Sequence, residues 1–306
     1  MKKWTSATLY RFKNLDADSV GKLPQWVHPG KGKSAVGILP LFKNEICGPI
    51  KNSGGWFRIR FSAPKKNNSE LELRINQRYA EAEKMGLSVT KEFTSKVKTE
   101  ELNKLMKQTS PSHTSVDVMF TQDWMLITEG AASKCDMVTK FLLEKIDGFT
   151  CEPVSIEGDL TSLGMSLFQS EGLQVDNIEL GPAVKVKMSD GTVNNVTESG
   201  YQKSLIGFLK KCKEVMHIGI VAKNFSGNIR RDFTMVGIDD GYDPSDVGDY
   251  DDGPEKDYVL QKDRAEKFMA ICYMFKDVSI HCGGFTKLEE PDDENVVSIN
   301  KAKKQT

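Results

Sequence analysis

A chain of 306 residues with a hydrophobic fraction of 39%, a charged fraction of 28% and a formal net charge of −1 can bury one large or two modest cores, which excludes disorder throughout. No run approaches the roughly 18 apolar residues that a membrane span needs, and the start MKKWTSATLYRF turns polar too soon for a secretory signal; the expected location is the cytoplasm. The near-neutral total conceals a gradient: residues 1–100 hold 19 Lys or Arg against 9 Asp or Glu, residues 101–235 hold 14 against 17, and residues 236–306 hold 9 against 17. Such asymmetry marks either a basic surface for nucleic acid or a surface whose charges merely segregate.

Residues 4–13, WTSATLYRFK, read as a strand, and LPQWVHPGKGKSAVGILP after it as a loop rich in Pro, Gly and Lys. The next strand lies in GGWFRIRFSAPKK: the two-residue period puts Phe57, Ile59 and Phe61 on a core face and Trp56, Arg58 and Arg60 on the other. In SELELRINQRYAEAEKMG, Ser69 and Glu72 suit a capping box and Gly86 a C-terminal stop. Leu71, Ile75, Tyr79 and Ala82 share a face of that helix, leaving Arg74 and Arg78 as a basic i, i+4 pair. A second helix covers about 91–108, with Lys91, Lys96 and Lys98, so that a basic helical insertion occupies about 65–115. The polar SPSHTS, 110–115, ends it before the strand-like VDVMF and DWMLIT.

Residues 131–147 form an amphipathic helix built on Val138, Phe141, Leu142 and Ile146, followed by the strand-like FTCEPVSI. AVKVKM at 183–188 alternates strictly and SDG at 189–191 reads as a turn. From about Glu198 to Glu214 a helix gathers Tyr201, Leu205, Phe208, Leu209 and Cys212 on one side and Lys203, Lys210 and Lys213 on the other, with Ile206 nearer the lysines. VMHIGIVA and NIRRDFTMV follow as strands, the second carrying Arg230 and Arg231. Residues 239–257 are dense in aspartate but lack the ligand order of an EF-hand, so they read as an acidic loop. A last helix covers about 262–278, and a polar, mobile tail follows Thr286.

The pattern defines an α+β chain: an N-terminal α+β unit, 1–150, that carries the insertion, and a C-terminal α+β unit, 151–306, with the acidic loop and tail. Six scattered cysteines without a CxxC pair, and only four histidines, give no metal or cofactor spacing. Cys282 beside His281 has no base-orienting arrangement in the sequence and reads as structural rather than nucleophilic.

Taken in order, WTSATLYRF, the basic insertion after SAPKK, DWMLITEGAASKCDMVTKFLLEKIDGFTCEPVSI, GPAVKVKMSDG, VTESGYQKSLIGFLKKCKEVMHIGIVAKNFSGNIRRDFTMV and AEKFMAICYMFKDVSIHCGG resemble the RdgC family of recombination-associated bacterial DNA-binding proteins. The likeness runs over nearly the whole chain and rests on collinear order rather than on one motif. It implies an elongated, multi-lobed subunit that pairs into a homodimeric ring around duplex DNA, without marked sequence preference and without catalysis. It further implies association with the nucleoid, restraint of RecA-driven strand exchange and contact with host recombination proteins. The chain departs from the family in a shorter, Pro- and Gly-rich segment after the first strand. It departs again at SPSHTS, which has no aromatic residue where the family closes one side of the ring; an open dimer or a different interface is the alternative there.

The residues expected to meet phosphates are Arg58, Arg60, Lys65, Lys66, Arg74, Arg78, Lys91, Lys96 and Lys98 in the basic half, and Lys203, Lys210, Lys213, Arg230 and Arg231 in the other. A rival reading from another class is a protein-binding inhibitor of a host nuclease or defence system, carried by a mobile element and acting through the acidic C-terminal region. A third is a metal-dependent nuclease using Asp239, Asp240 or their neighbours.

Overall fold

The computed structural model describes residues 4–41, 45–50, 54–170, 174–197, 211–222, 225–239 and 254–286. The chain is a mixture of helices and antiparallel strands and divides into two compact units. The first takes residues 1–153 and 234–272, the second 154–233 and 273–306. The first division falls close to the expected 150, but 234–272 return to the first unit because β13 (Thr234–Asp239) pairs with β1 (Ser6–Lys13), Met235 opposite Ala7.

In the first unit the strand order is β13, β1, β6 (Met125–Ile127), β5 (Pro111–Phe120), β4 (Gly54–Pro64), β2 (Ala35–Leu39). The short β3 (Gly48–Ile50) adds to β4, and β7 (Thr150–Pro153) to β1. One face of this sheet meets α1 (Ala17–Gly21) and α4 (Ala132–Lys145) through Val20, Cys135, Val138, Phe141 and Leu142, packed on Tyr10, Phe57, Ile59, Val116, Val118 and Phe120. Each fully buried aliphatic or aromatic side chain contributes roughly 1.5–3 kcal/mol. Phe57 and Ile59 thus take the core face expected of them, and Phe61 packs against its edge. Trp56, expected to face outward, is also fully buried.

One stretch expected to be a loop, and one expected to end the helical insertion, are strand. Within 23–40, Ala35–Leu39 pair with Arg58–Ser62. Gly37 disguises the strand, yet a Cβ there would lie 2.6 Å from the Trp26 nitrogen. That close approach lets Trp26 N donate to Ile38 O at 2.9 Å. The polar Ser112–Ser115 extend β5, with Ser62 opposite His113 and Pro64 opposite Pro111, so only the far end of the hairpin is open to proline.

Helices α2 (Asn68–Lys84) and α3 (Lys91–Gln108) form the expected insertion between β4 and β5. Asn67 rather than Ser69 is the cap of α2, its side chain accepting from Glu70 N at 3.3 Å. Gly86, at φ 72°, follows the last turn as expected.

In the second unit the order is β10 (Val193–Thr197), β9 (Ile178–Met188), β11 (Cys212–Ala222), β12 (Phe225–Arg230), with β8 (Gln174–Val175) on β9. Helix α5 (Leu160–Gln169) buries Leu160, Leu163 and Leu167, and its Thr161 hydroxyl accepts from Val215 N at 3.2 Å. Cys212, Lys213 and Glu214, which the face pattern placed at the end of a helix, are not helical. They open β11, because Cys212 and Glu214 pair with Met188 and Lys187. The 198–210 part of that predicted helix, the acidic residues 240–253 and the tail beyond 286 lie outside the described residues. Helix α6 (Pro254–His281) is longer than the expected 262–278. No helix among the described residues is long and apolar enough to cross a membrane.

Candidate nucleic-acid interface

The insertion joins two helices that each carry basic residues, and the side chains sort into two groups. Arg74 donates to Glu70 at 2.6 Å and to Gln108 at 3.1 Å; Arg78 lies 3.7 Å from Glu100, 3.8 Å from Glu101 and 4.0 Å from Glu81. Lys104 donates to the buried Glu101 at 2.8 Å, and that hydrogen bond, with the charges of Lys104, Arg78 and Arg74, holds the Glu101 carboxyl below the usual carboxylate range. Arg74 and Arg78 therefore fasten α2 to α3. Lys91, Lys96 and Lys98 on α3, and Lys65 and Lys66 before α2, are exposed and have no carboxylate partner among the described residues.

The arginines of β4 also divide. Arg58 forms a two-pronged ion pair with Asp117 directly across on β5, Nη2 to Oδ2 at 2.9 Å, and the Trp4 indole donates to the same carboxylate at 3.4 Å. Arg60 has no carboxylate partner among the described residues. Its guanidinium lies 4.9 Å from the centre of the Trp26 ring and its Nε donates to Ser115 Oγ at 3.2 Å.

Around Arg60 the loop before β2 and the start of β5 converge. Trp26 Nε1 donates to Ser62 Oγ at 2.8 Å, and Ser62 Oγ shares a 2.8 Å hydrogen bond with His113 Nδ1. The rings of Trp26, His28 and His113 stand edge to face, with centroids 5.4 to 5.9 Å apart. The loop between His28 and Ala35 carries Lys31 and Lys33 and is fastened to the end of α3 by Gly32 N donating to Thr109 O at 3.0 Å. Sequence reasoning passed over Trp26, His28 and His113; the discernible signal was a tryptophan and a histidine inside a Lys- and Gly-rich loop.

The second unit carries a different basic feature. His217 on β11 lies opposite Arg230 of β12 on one side and Lys185 of β9 on the other. Three cationic or titratable side chains thus form a row across three strands, where directly opposed like charges are destabilising. Burial first, then the charges of Lys185 and Arg230, push the His217 imidazole below its ordinary range, with Asp232 opposing. Arg230 Nε is buried without a hydrogen-bond partner among the described residues. Lys185 and His217 were not singled out in the sequence; Arg230 was.

Lys213, Glu214, Arg231 and Asp232 line a cleft of about 350 Å³ with Asp159 and the start of α5. Arg231 is tied to Glu214 at 2.7 Å, and with three carboxylates beside two cations the cleft has no excess of positive charge. Lys203 and Lys210 lie outside the described residues.

All six cysteines are unbridged. The Cys282 thiol is buried, which pushes it up to about 12, and His281 turns away to pair with Asp176 at 2.9 Å. Among the described residues no group of three or more His, Cys, Asp or Glu could hold a metal ion. No family model matches the chain, and a search of curated proteins returns no match.

Proposed function

We propose that the protein is a non-enzymatic, sequence-independent duplex DNA-binding protein of RdgC-like build, acting as a homodimer in the nucleoid and limiting RecA-type strand exchange by occupying DNA. The observation that carries the reading is the row of Lys185, His217 and Arg230 across three adjacent strands. Lys185 and Arg230 flank a histidine whose proton they disfavour, and a polyanion laid along the row supplies both cations with countercharge. The exposed Lys65, Lys66, Lys91, Lys96 and Lys98 supply further phosphate contacts in the first unit. Arg58, Arg74, Arg78 and Arg231, already paired with carboxylates, hold the structure and have the smaller share in binding.

The test is a titration of the protein with duplexes of unrelated sequence at about 50 and then 200 mM salt. Affinity that is the same for every sequence and falls by orders of magnitude between the two salts supports phosphate binding. Absence of binding at the lower salt overturns it and favours the protein-binding inhibitor. Solution mass with and without duplex tests the homodimer, and tighter retention on circular than on linear DNA tests encirclement.

A further inference from the structure

We infer that Trp26, His28, His113 and Arg60 form a platform for unpaired bases, so that the first unit holds single-stranded nucleic acid as well as duplex. The inference rests on the nucleic-acid reading above but on a different surface and a different chemistry. Phosphate neutralisation needs cations alone, whereas unpaired bases are held by flat rings beside cations, each base stacking with about 1–3 kcal/mol and little regard to sequence.

The cluster has both parts. His28 and His113 are exposed, and Val27 between Trp26 and His28 is 73% exposed. The flat groups are fixed in place: Ser62 holds both the Trp26 indole and the His113 imidazole at 2.8 Å, and His28 Nδ1 accepts from Gly30 N at 3.1 Å. Arg60 brings a positive charge compensated by the Trp26 ring and a serine rather than by a carboxylate. Its neighbour two residues earlier, Arg58, shows the alternative, a full ion pair.

A purely structural pin between the loop and β4 does not account for this composition. An apolar side chain would anchor the loop equally well and would not place an unneutralised cation against the rings. Beside the platform, His113 also lines a polar cleft of about 420 Å³ with Thr114, Arg58, Asp117, Glu129 and Lys134, whose mixed donors and acceptors can meet the hydrogen-bonding edge of a base. Lys31 and Lys33 on the adjoining loop are placed for the strand's phosphates.

The experiment compares three fluorescent probes, an oligo-dT strand, a blunt duplex and the same duplex with an oligo-dT tail, on the full chain and on the variants His28→Ala, His113→Ala with His28→Ala, and Trp26→Phe. The expected result is binding of oligo-dT, and tighter binding of the tailed than of the blunt duplex. The double histidine variant should lose about tenfold or more in oligo-dT affinity while its blunt-duplex affinity stays within twofold. His28→Ala, which removes an exposed ring and one contact to Gly30, keeps the test valid if the double variant unfolds; it should lose oligo-dT affinity by itself. Trp26→Phe keeps a ring but loses the indole donor, and should retain more oligo-dT affinity than the double variant. Unchanged oligo-dT affinity in folded His28→Ala and double variants overturns the platform, as does duplex binding by a parent protein that ignores oligo-dT. Binding of oligo-dT without duplex binding overturns the duplex function and leaves the platform standing.

Discussion

Arg58 and Asp117 face each other at matched positions of β4 and β5 and share a two-pronged ion pair, with Nη2 to Oδ2 at 2.9 Å and only 7% of the Asp117 side chain exposed. The pair makes Arg58 part of the sheet's internal wiring. Replacing Asp117 by Ala leaves a half-buried guanidinium without its counterion and the Trp4 indole without its acceptor. The expected loss is about 3 kcal/mol, at the lower end for a buried pair because Arg58 retains some water. A urea titration checks it, and a midpoint equal to the parent's contradicts the assignment.

Lys185→Gln separates stability from binding. Removing one of the charges that flank His217 should raise the stability of the unbound protein by a few tenths of a kcal/mol to about 1 on the acid side of pH about 6.5, where the imidazole takes up its proton. Duplex affinity should fall, and the slope of log affinity against log salt should become shallower by about 0.9. Thermal unfolding and anisotropy titrations measure the two effects; a variant that loses stability and keeps its salt slope contradicts the role of the row.

His217 gives a pH dependence of definite sign. Its folded-state pKa lies below the ordinary value, through burial and then Lys185 and Arg230. The unfolded chain therefore binds the proton more readily, and the stability contributed is fully present above pH about 6.5 and lost as pH falls from there towards the folded-state pKa. His217→Gln should flatten that limb of the stability curve below pH about 6.5. A variant curve parallel to the parent's in this window contradicts it.

Glu101 acts in a lower window. Its carboxyl is held down chiefly by the hydrogen bond from Lys104, so its contribution is complete above the usual glutamate pKa of about 4.3 and disappears as pH falls through the folded-state value. Glu101→Gln should weaken the α2–α3 hairpin near neutral pH and reduce the acid sensitivity of its amide protection. Hydrogen exchange on the hairpin amides at pH about 7 and 4 reads both.

Gly32→Ala should release the loop that carries Lys31 and Lys33. Gly32 has φ 70°, and a Cβ there would sit 2.5 Å from the Lys107 carbonyl oxygen. The left-handed conformation alone costs an alanine about 1–2 kcal/mol, and the contact with backbone adds to it. Chemical denaturation should show the loss together with a shift in tryptophan emission as Trp26 moves. Parent-like stability would mean that the loop is not fastened at Thr109.

The elements with long, regular periods were legible in the sequence. The alternation of Phe57, Ile59 and Phe61 located a core face, and the apolar spacing of Val138, Phe141 and Leu142 located α4, because in both cases the period reflects burial on one side. β2 was hidden because Gly37 answers to a close approach by Trp26, a contact from outside the strand. Ser112–Ser115 were hidden because Ser112 and His113 are exposed and Thr114 and Ser115 only half-buried, so their composition resembles a loop.

The candidate sites were less legible, since charge type shows in the sequence and charge partner does not. Arg58 and Arg60 look alike in the string GGWFRIRFSAPKK. One meets Asp117, 59 residues on, and the other meets Trp26, 34 residues back. The row of Lys185, His217 and Arg230 depends on the register of three strands, and a shift of one residue would turn its members to opposite faces.

The return of β13 to β1 bears on the order of synthesis. Ser6, Ala7 and Thr8 find their partners Val236, Met235 and Thr234 only after the ribosome has made the whole second stretch from 154 to 233. Until then the nascent first unit carries an open strand edge, the kind of surface on which chains add to one another. Cutting the gene after residue 153 therefore leaves the first unit incomplete, and a workable dissection must carry residues 234–272 with the N-terminal residues, joined by a linker in place of 154–233.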